Sequence, residues 1–332
     1  MPSGFSHGIS LSSSLRQLFS DAGYYTAYLH TFDVGIYGRA GLYTALGFQD
    51  MFFSGDFDAI DPEAAAAADY WAYMQGKLSG DFYSDEYLAQ PTAMLFEQKV
   101  SERPVFLWAV TMEHHTPFYA EKYPSYDFPF ESEPSDEAVG VLNSDTPGAA
   151  NCSEALGQLV DYLSGREEPV ILVFFGDHRP GTPLESGGTV YSELGICPEN
   201  VADWELEDYA ELYSTDYVIW SNYPELLPAE PGSRVNSAST LLGLEALQAA
   251  GIGLDEYWSM CAVVDTISDG WTGNFFVPQG GEPCFSPFAG LDEDGLDIIR
   301  AMRVFMNSTF YGTDGPGFGD IFADTERDTD TE

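Results

Sequence analysis

The sequence predicts an α/β fold in which a mostly parallel central sheet is flanked by helices. Residues 170–175 form an unbroken apolar run that ends in Gly-Asp-His at 176–178. Residues 104–111 repeat the pattern and lead into Glu-His-His at 113–115. Runs of this kind are typical of strands buried on both faces, as in a parallel sheet covered by helices. Helical and strand signals alternate along the chain, which is the order expected of an α/β fold.

The first elements follow from capping and alternation signals. Three serines at 12–14 precede the apolar residues of 15–19, and Gly23 follows, which predicts a short capped helix. Aromatic and β-branched side chains alternate with other residues over 24–30, and this pattern predicts a strand. A second short helix is predicted over 40–47, where it ends in glycine.

The middle of the chain is predicted to be mainly helical. Pro62 opens an alanine-rich stretch that runs to Met74, and proline is typical of the first turn of a helix. Residues 85–99 and 151–163 are predicted as further helices, each preceding one of the two apolar strands.

The last third of the chain begins with a predicted short strand at 216–220 and a helix over 237–250, with Gly251 as its stop. A hairpin strand is predicted among glycines at 271–277. Apolar residues at helical spacing predict a final helix over 295–310.

The predicted organisation is one α/β domain over residues 1–260. Because the pattern of elements changes after that point, residues 261–323 are predicted to form a smaller sub-region that packs on the same domain. Residues 324–332 are polar and acidic, and we expect a disordered tail there.

The charge of the chain is extreme, with 12 basic against 54 acidic residues and a formal net charge of −42. Such a chain repels nucleic acid and anionic lipid unless cations intervene, so a nucleic-acid partner is excluded. Because the acids are spread along the whole chain, solubility or adaptation to a salty or calcium-rich milieu is the favoured explanation, and a cationic partner is the alternative. An anionic substrate would need local positive charge at its site, which a metal ion would supply.

Four cysteines permit two disulfides, and Cys261 with Cys284 is the better candidate pair by spacing. Buried free thiols are the alternative. No segment approaches the roughly 20 apolar residues of a membrane helix, and Met1–Gly4 shows no signal peptide.

Three of the five histidines, namely His30, His115 and His178, follow predicted strands at the side where such sheets bind ligands. Asp177 and His178 together offer a carboxylate and an imidazole for a divalent metal. The alternative is a turn in which Asp177 caps a backbone group. Arg39 follows the glycine-rich turn 35–38 and suits a phosphate clamp, with a structural salt bridge as the alternative.

Several segments resemble, in the same order, those of the lipoteichoic acid synthase-like proteins, a sulfatase branch of the alkaline phosphatase superfamily. The matching segments share aromatic, histidine and Gly-Asp-His motifs and extend the resemblance from about residue 3 to residue 322. They are Tyr28-Leu29-His30 with residues 36–48, then 83–86, 110–118, 175–178, 215–223 and 295–322.

The resemblance implies metal ligands at Asp177 and His178, with manganese as the usual ion and Mg, Ca or Zn as alternatives. It also implies that His115 contacts the phosphoryl group or protonates the leaving oxygen. The family more often has Asn where His114 stands.

The substrate pocket, by the same resemblance, is lined by Arg39 and Tyr37, and His30 supports it. The family more often has Trp at the position of Tyr37, a difference that concerns substrate preference and not the general class.

The function that the resemblance implies is metal-dependent transfer of glycerol phosphate from a phosphatidylglycerol-type lipid to a cell-surface polymer. Hydrolysis of a sulfate or phosphate ester is the alternative, and a non-catalytic remnant that binds metal or a partner is another. The expected partner is an anionic phospholipid or ester substrate. The full-length family protein acts at the outer face of the cell membrane or outside the cell.

The chain departs from the pattern of the family at its start. In the family, a strand with an acidic metal ligand and a Thr nucleophile precede a Leu-Pro-Ser-Gly-like segment, on which Met1–Gly4 falls. The acid, the nucleophile and a membrane segment are therefore expected upstream or in a separate polypeptide. We expect the chain as given to bind manganese weakly, to lose that binding in Asp177→Ala, and to cleave no ester.

Overall fold

The computed structural model of the protein describes residues 14–35, 38–123, 134–227, 232–233, 235–272, 275–286 and 290–311. Its helices are separated by strands through most of the chain, in the alternation that the sequence predicted. The helices are α1 (Leu15–Asp21), α2 (Arg39–Leu46), α3 (Pro62–Ala66), α4 (Tyr70–Gln75), α5 (Asp85–Val100), α6 (Asp136–Ser164), α7 (Val190–Glu193), α8 (Leu206–Leu212), α9 (Ser239–Ala249), α10 (Glu256–Asp265) and α11 (Glu293–Tyr311).

The strands are shorter than most of the helices. They are β1 (Tyr25–His30), β2 (Asp50–Phe52), β3 (Leu78–Ser79), β4 (Phe82–Tyr83), β5 (Val105–Val110), β6 (Ile171–Phe175), β7 (Tyr217–Ser221), β8 (Ser268–Trp271) and β9 (Phe276–Pro278).

A three-stranded parallel sheet of order β2-β1-β5 lies at the centre of the fold. β1 pairs with β5 from Tyr25↔Val105 to His30↔Val110, and with β2 over three residues. All six residues of β1 are buried, because a strand lies on each side of β1 and helices cover both faces of the sheet. The predicted α/β class with a parallel sheet and flanking helices is therefore confirmed.

Helices cover both faces of this sheet and build two separate cores. On one face, Leu29 of β1 packs with residues of α4 and α5, including Met74 and Leu95. On the other face, Phe106 of β5 packs against the cluster that contains Leu244 of α9. Apolar side chains that alternate between the two faces of a strand thus meet a helical layer on either side.

The 170–175 run forms β6, but its pairing differs from the parallel one that the sequence suggested. β6 pairs antiparallel with β7, from Ile171↔Ser221 to Phe175↔Tyr217. In the described part of the chain no strand ladder joins this pair to the parallel sheet. The two sheets meet through side chains, since the rings of Trp108 and Phe175 lie 6.0 Å apart, edge to face. An apolar run predicts that a strand is buried, but it does not predict whether the neighbouring strand runs parallel or antiparallel.

Two predicted helices have different bounds. The 62–74 stretch is broken into α3 and α4 because Ala67 is extended and Asp69 caps a new helix. The 151–163 helix is the second half of the 29-residue α6, which continues through Pro147.

The division predicted after residue 260 falls inside α10, and Cys261 packs in the core with Phe19. The tail at 324–332 lies outside the described residues. All four cysteines are free thiols, so the candidate pair Cys261–Cys284 is not formed. Within the described ranges, no helix has both the length and the apolar character that crossing a membrane requires.

Candidate active site

The candidate site is built around the carboxyl ends of β1 and β5. Because the two strands are parallel and His30 pairs with Val110, their last residues lie side by side. The loops that follow leave the sheet at the same edge, where open α/β sheets bind ligands. Arg39 is the first residue of α2 after the loop from β1, and His115 lies in the loop from β5.

His30 is completely buried and holds Arg39. Its Nδ1 donates to the carbonyl of Val110 at 2.8 Å, and its Nε2 accepts from Nη1 of Arg39. A carbonyl can only accept and a guanidinium can only donate, so the imidazole is neutral with its proton on Nδ1. Burial lowers the pKa of His30 to about 4, and the positive charge of Arg39 acts in the same direction, against the Val110 hydrogen bond.

The turn before Arg39 depends on a glycine. Gly38 has φ +66°, a left-handed conformation that is strained for residues with a Cβ atom, and it is the N-cap of α2. Tyr37, predicted to line the substrate pocket, lies outside the described residues.

His115 is partly exposed and is held on the same side by aromatic rings. Its Nδ1 bonds the carbonyl of Thr116 at 2.8 Å, so Nε2 is the nitrogen that can meet a substrate. The ring packs edge to face on Phe82 at 5.7 Å between centroids. Phe82 in turn contacts Phe32 at 5.5 Å, and Phe32 contacts His30 at 6.3 Å. An unbroken row of rings therefore connects His115 to the residue that holds Arg39.

Asp177 and His178 follow β6 after Gly176 and are both exposed. Oδ1 of Asp177 accepts from the backbone N–H of His178 at 3.0 Å, which is the turn-capping role that the sequence left open. Nδ1 of His178 bonds the carbonyl of Arg179 at 2.8 Å. Among the described residues, neither side chain hydrogen-bonds to His115.

The two donors can still share one cation. Oδ2 of Asp177 and Nε2 of His178 lie 3.7 Å apart. Ligand atoms that each sit about 2.0–2.2 Å from a metal ion reach such a separation. In the ranges that the structure describes, no group of three or more His, Cys, Asp or Glu side chains could hold a metal ion. The pair therefore fits as a partial ligand set.

Sequence reasoning did not assign roles to three residues that lie in the loop that carries His115 or contact that loop. Glu113 is 1% exposed and accepts several hydrogen bonds. Lys122 is buried and donates to the carbonyl of His115 at 2.6 Å, and burial lowers its pKa. Asp145 bonds Nε2 of His114 at 2.8 Å. The signal for Glu113 was available, since an acid two residues after the predicted strand 104–111 needs hydrogen-bond partners if it is buried.

Comparison with known proteins gives a family and a fold. The family model described as Sulfatase matches residues 8–244. A protein of Rhizobium meliloti (strain 1021) that is named for cyclic beta-1,2-glucan modification is 29% identical over 211 residues, which are 63% of this chain and 29% of that protein. An uncharacterised protein of Haemophilus influenzae is 23% identical over 217 residues, 64% of this chain and 34% of its own length.

Two solved structures share the fold. The phosphoglycerol transferase GacH of Streptococcus pyogenes, in complex with sn-glycerol-1-phosphate, aligns with a TM-score of 0.58 at 17% identity, over 86% of this chain and 61% of that one. The lipoteichoic acid synthase LtaP of Listeria monocytogenes aligns with a TM-score of 0.57 at 16% identity, over 96% and 77%. The chain spans about a third of the length of the curated relatives that it matches.

Proposed function

Because the chain belongs to the sulfatase family, we propose that it acts on a phosphoester and transfers glycerol phosphate from a phosphatidylglycerol-type lipid to a glycan of the cell surface. The donor class is supported by the likeness to a phosphoglycerol transferase and a lipoteichoic acid synthase. The glycan acceptor is supported by the relative named for glucan modification. The proposed location is the outer face of the membrane or outside the cell.

The observation that carries this proposal is the arginine held by a buried neutral imidazole at the carboxyl edge of the sheet. The contact between Nη1 of Arg39 and Nε2 of His30 fixes the guanidinium at the edge of the sheet where the loops from β1 and β5 begin. Arginine suits phosphoryl oxygens because its planar fork can donate two parallel hydrogen bonds. The chain has 12 basic and 54 acidic residues, so its overall charge repels anions. The positive charge of Arg39 therefore attracts an anionic ligand only at close range.

His115 is proposed to protonate the leaving oxygen. The bond from Nδ1 to Thr116 fixes the ring, and Nε2 is the nitrogen that can carry a proton to substrate. A positioned imidazole is effective in this role because its pKa lies near neutral pH.

Asp177 and His178 are proposed to hold a divalent metal, with manganese as the first candidate and Mg, Ca or Zn as alternatives. When bound, such an ion withdraws charge from a phosphoryl oxygen and makes a hydroxyl or water more nucleophilic. The residues of this chain then have separate tasks, since Arg39 binds the anion and His115 moves a proton. The ion would also offset the acidic surroundings of the site.

Binding of sn-glycerol-1-phosphate to the full chain, measured by calorimetry with and without Mn²⁺, tests the proposal. Replacing Arg39 by Ala should weaken binding by about tenfold or more, because a charge-assisted hydrogen bond contributes roughly 1.5–3 kcal/mol. Arg39→Lys should restore only part of the affinity, since lysine has no planar fork. Arg103→Ala is the matched control, because Arg103 precedes β5 at the opposite edge and bonds Gln49.

Turnover assays with a phosphate ester and a sulfate ester separate the proposed activity from sulfate-ester hydrolysis. Equal affinity of wild type and Arg39→Ala for glycerol phosphate would refute the proposed site. Selective binding and cleavage of the sulfate ester would favour the hydrolase instead.

A further inference from the structure

The loop that carries His115 contains a buried carboxylate of no assigned role. Glu113 is 1% exposed, whereas His115, two residues further on, is partly exposed. A charged group is costly to bury unless hydrogen bonds replace its water shell. Its contacts therefore show what the carboxylate does for the loop.

Three donors converge on the carboxylate of Glu113, each from a different element. Oε1 accepts from Oγ of Ser79 in β3 at 2.5 Å and from Nδ2 of Asn151 in α6 at 2.6 Å. Oε2 accepts from the backbone N–H of Asp85, the first residue of α5, at 2.8 Å. A carboxylate suits the first turn of a helix because it complements the positive end of the helix dipole. One side chain thus links β3, α5 and α6.

Backbone hydrogen bonds on either side of Glu113 connect its fixed side chain to the position of His115. The hydroxyl of Tyr123 donates to the carbonyl of Glu113 at 2.8 Å. The N–H of His115 donates to the carbonyl of Met112 at 3.0 Å, which closes a tight turn around Glu113. Lys122 then holds the carbonyl of His115 at 2.6 Å. The imidazole is therefore placed by a turn whose central side chain is fixed to three elements.

We propose that Glu113 is the positioning residue for His115 and that its ionised carboxylate fixes the orientation of the imidazole. The importance of that orientation for turnover rests on the proposed function, while the positioning itself does not. Only an acceptor on both oxygens satisfies the three donors, so glutamine, which has the same shape, presents an NH₂ group to at least one of them. The turn should then lose its single conformation.

Side-chain NMR of the histidines in the full chain tests the proposal. The sequence has five histidines, and a His115→Gln variant identifies the His115 signal. In Glu113→Gln the His115 signal should split or broaden by at least about twofold, because the loop exchanges among conformers, and its titration midpoint should move. The exposed His178 signal should stay unchanged. Glu121→Gln is the matched control, with the same charge change on an exposed residue of the same loop.

A folded Glu113→Gln protein with an unchanged His115 signal and titration would overturn the proposal. If that variant does not fold, Ser79→Ala and Asn151→Ala decide the question, since each removes one donor and keeps the carboxylate. Broadening of the His115 signal in either one supports positioning, and unchanged signals in both reject it. The readout does not require turnover, so a failure of the proposed function would leave this result interpretable.

Discussion

His30 donates a hydrogen bond to the carbonyl of Val110 through Nδ1 and accepts a hydrogen bond from the guanidinium of Arg39 through Nε2. The side chain is fully buried, so it reaches a ligand only through the guanidinium that it holds. Residues on two neighbouring strands and one helix are connected in this way. The strand pairing His30↔Val110 is thereby linked to the orientation of a cation at the edge of the sheet.

Two replacements of His30 separate its two hydrogen bonds. His30→Gln can keep an acceptor near the position of Nε2, and His30→Asn can keep a donor near Nδ1. We expect the Asn variant to bind glycerol phosphate about tenfold more weakly, because Arg39 loses its acceptor. The Gln variant should bind nearer to wild type. Calorimetric titration of both variants checks this, and the reverse order would show that the Val110 bond matters more.

The buried His30 should make the fold less stable in acid. Its pKa is about 4 in the folded protein, below its ordinary value of 6.5. Between these pH values the unfolded chain binds more protons, so stability is lost as pH falls from 6.5 toward 4, by at most about 3 kcal/mol. Urea unfolding at pH 7.5 and pH 5 should show a smaller difference in His30→Asn than in wild type. If the free energy of unfolding differed between the two pH values by the same amount in both proteins, the assigned burial of His30 would be contradicted.

Asp85 should have the opposite effect on the pH dependence of stability, so that its contribution is lost as the pH rises. It is 4% exposed, and burial with the nearby charge of Glu113 raises its pKa to about 6, although hydrogen bonds from Cys152 and the Glu113 backbone oppose this. The folded chain therefore binds more protons between pH 4 and 6, and this contribution is lost as pH rises through 6.

Replacing Asp85 by Asn should therefore stabilise the protein more at pH 8 than at pH 5, by about 1.4 kcal/mol, because pH 5 lies about one unit below the pKa of about 6. Urea unfolding of the variant and of wild type at both pH values checks this. Exposed Asp161→Asn is the control for the change in net charge. An identical pH dependence in wild type and Asp85→Asn would show that Asp85 is ionised as easily as an exposed acid.

Manganese binding should depend on the pair after β6. Asp177→Ala and His178→Ala should each abolish the tightest Mn²⁺ event in calorimetry, because each removes one of two donors. The many other acids provide weak background binding, so Asp161→Ala serves as control with the same change in charge. Identical titrations for Asp177→Ala and Asp161→Ala would place the metal elsewhere.

The thermal midpoint should fall at low salt. With a net charge of −42, repulsion among acids acts over about 30 Å at 0.01 M salt but only about 8 Å at 0.15 M. Thermal unfolding followed by circular dichroism over this range should give a midpoint that rises with NaCl. A midpoint independent of salt would show that the acids are too far apart to repel.

Much of the fold could be predicted from the chain because local patterns carry it. The alternating segment around Ala27 and the apolar run around Leu107 both became strands of the parallel sheet. One helix start was equally readable, since Ser14 is among the serines predicted to cap the first helix and its side chain caps α1. The pairing of the 170–175 run was not readable, since periodicity records burial and not the direction of a neighbour.

The candidate site divides in the same way. The sequence by itself determined that acidic, imidazole and guanidinium groups follow strands, because residue type and spacing are local properties. Only the tertiary structure decided that His30 lies beneath Arg39 and that Glu113 joins Ser79, Asp85 and Asn151. These partners are 28 to 38 residues from Glu113 in the sequence, and such contacts form only when packing brings distant segments together.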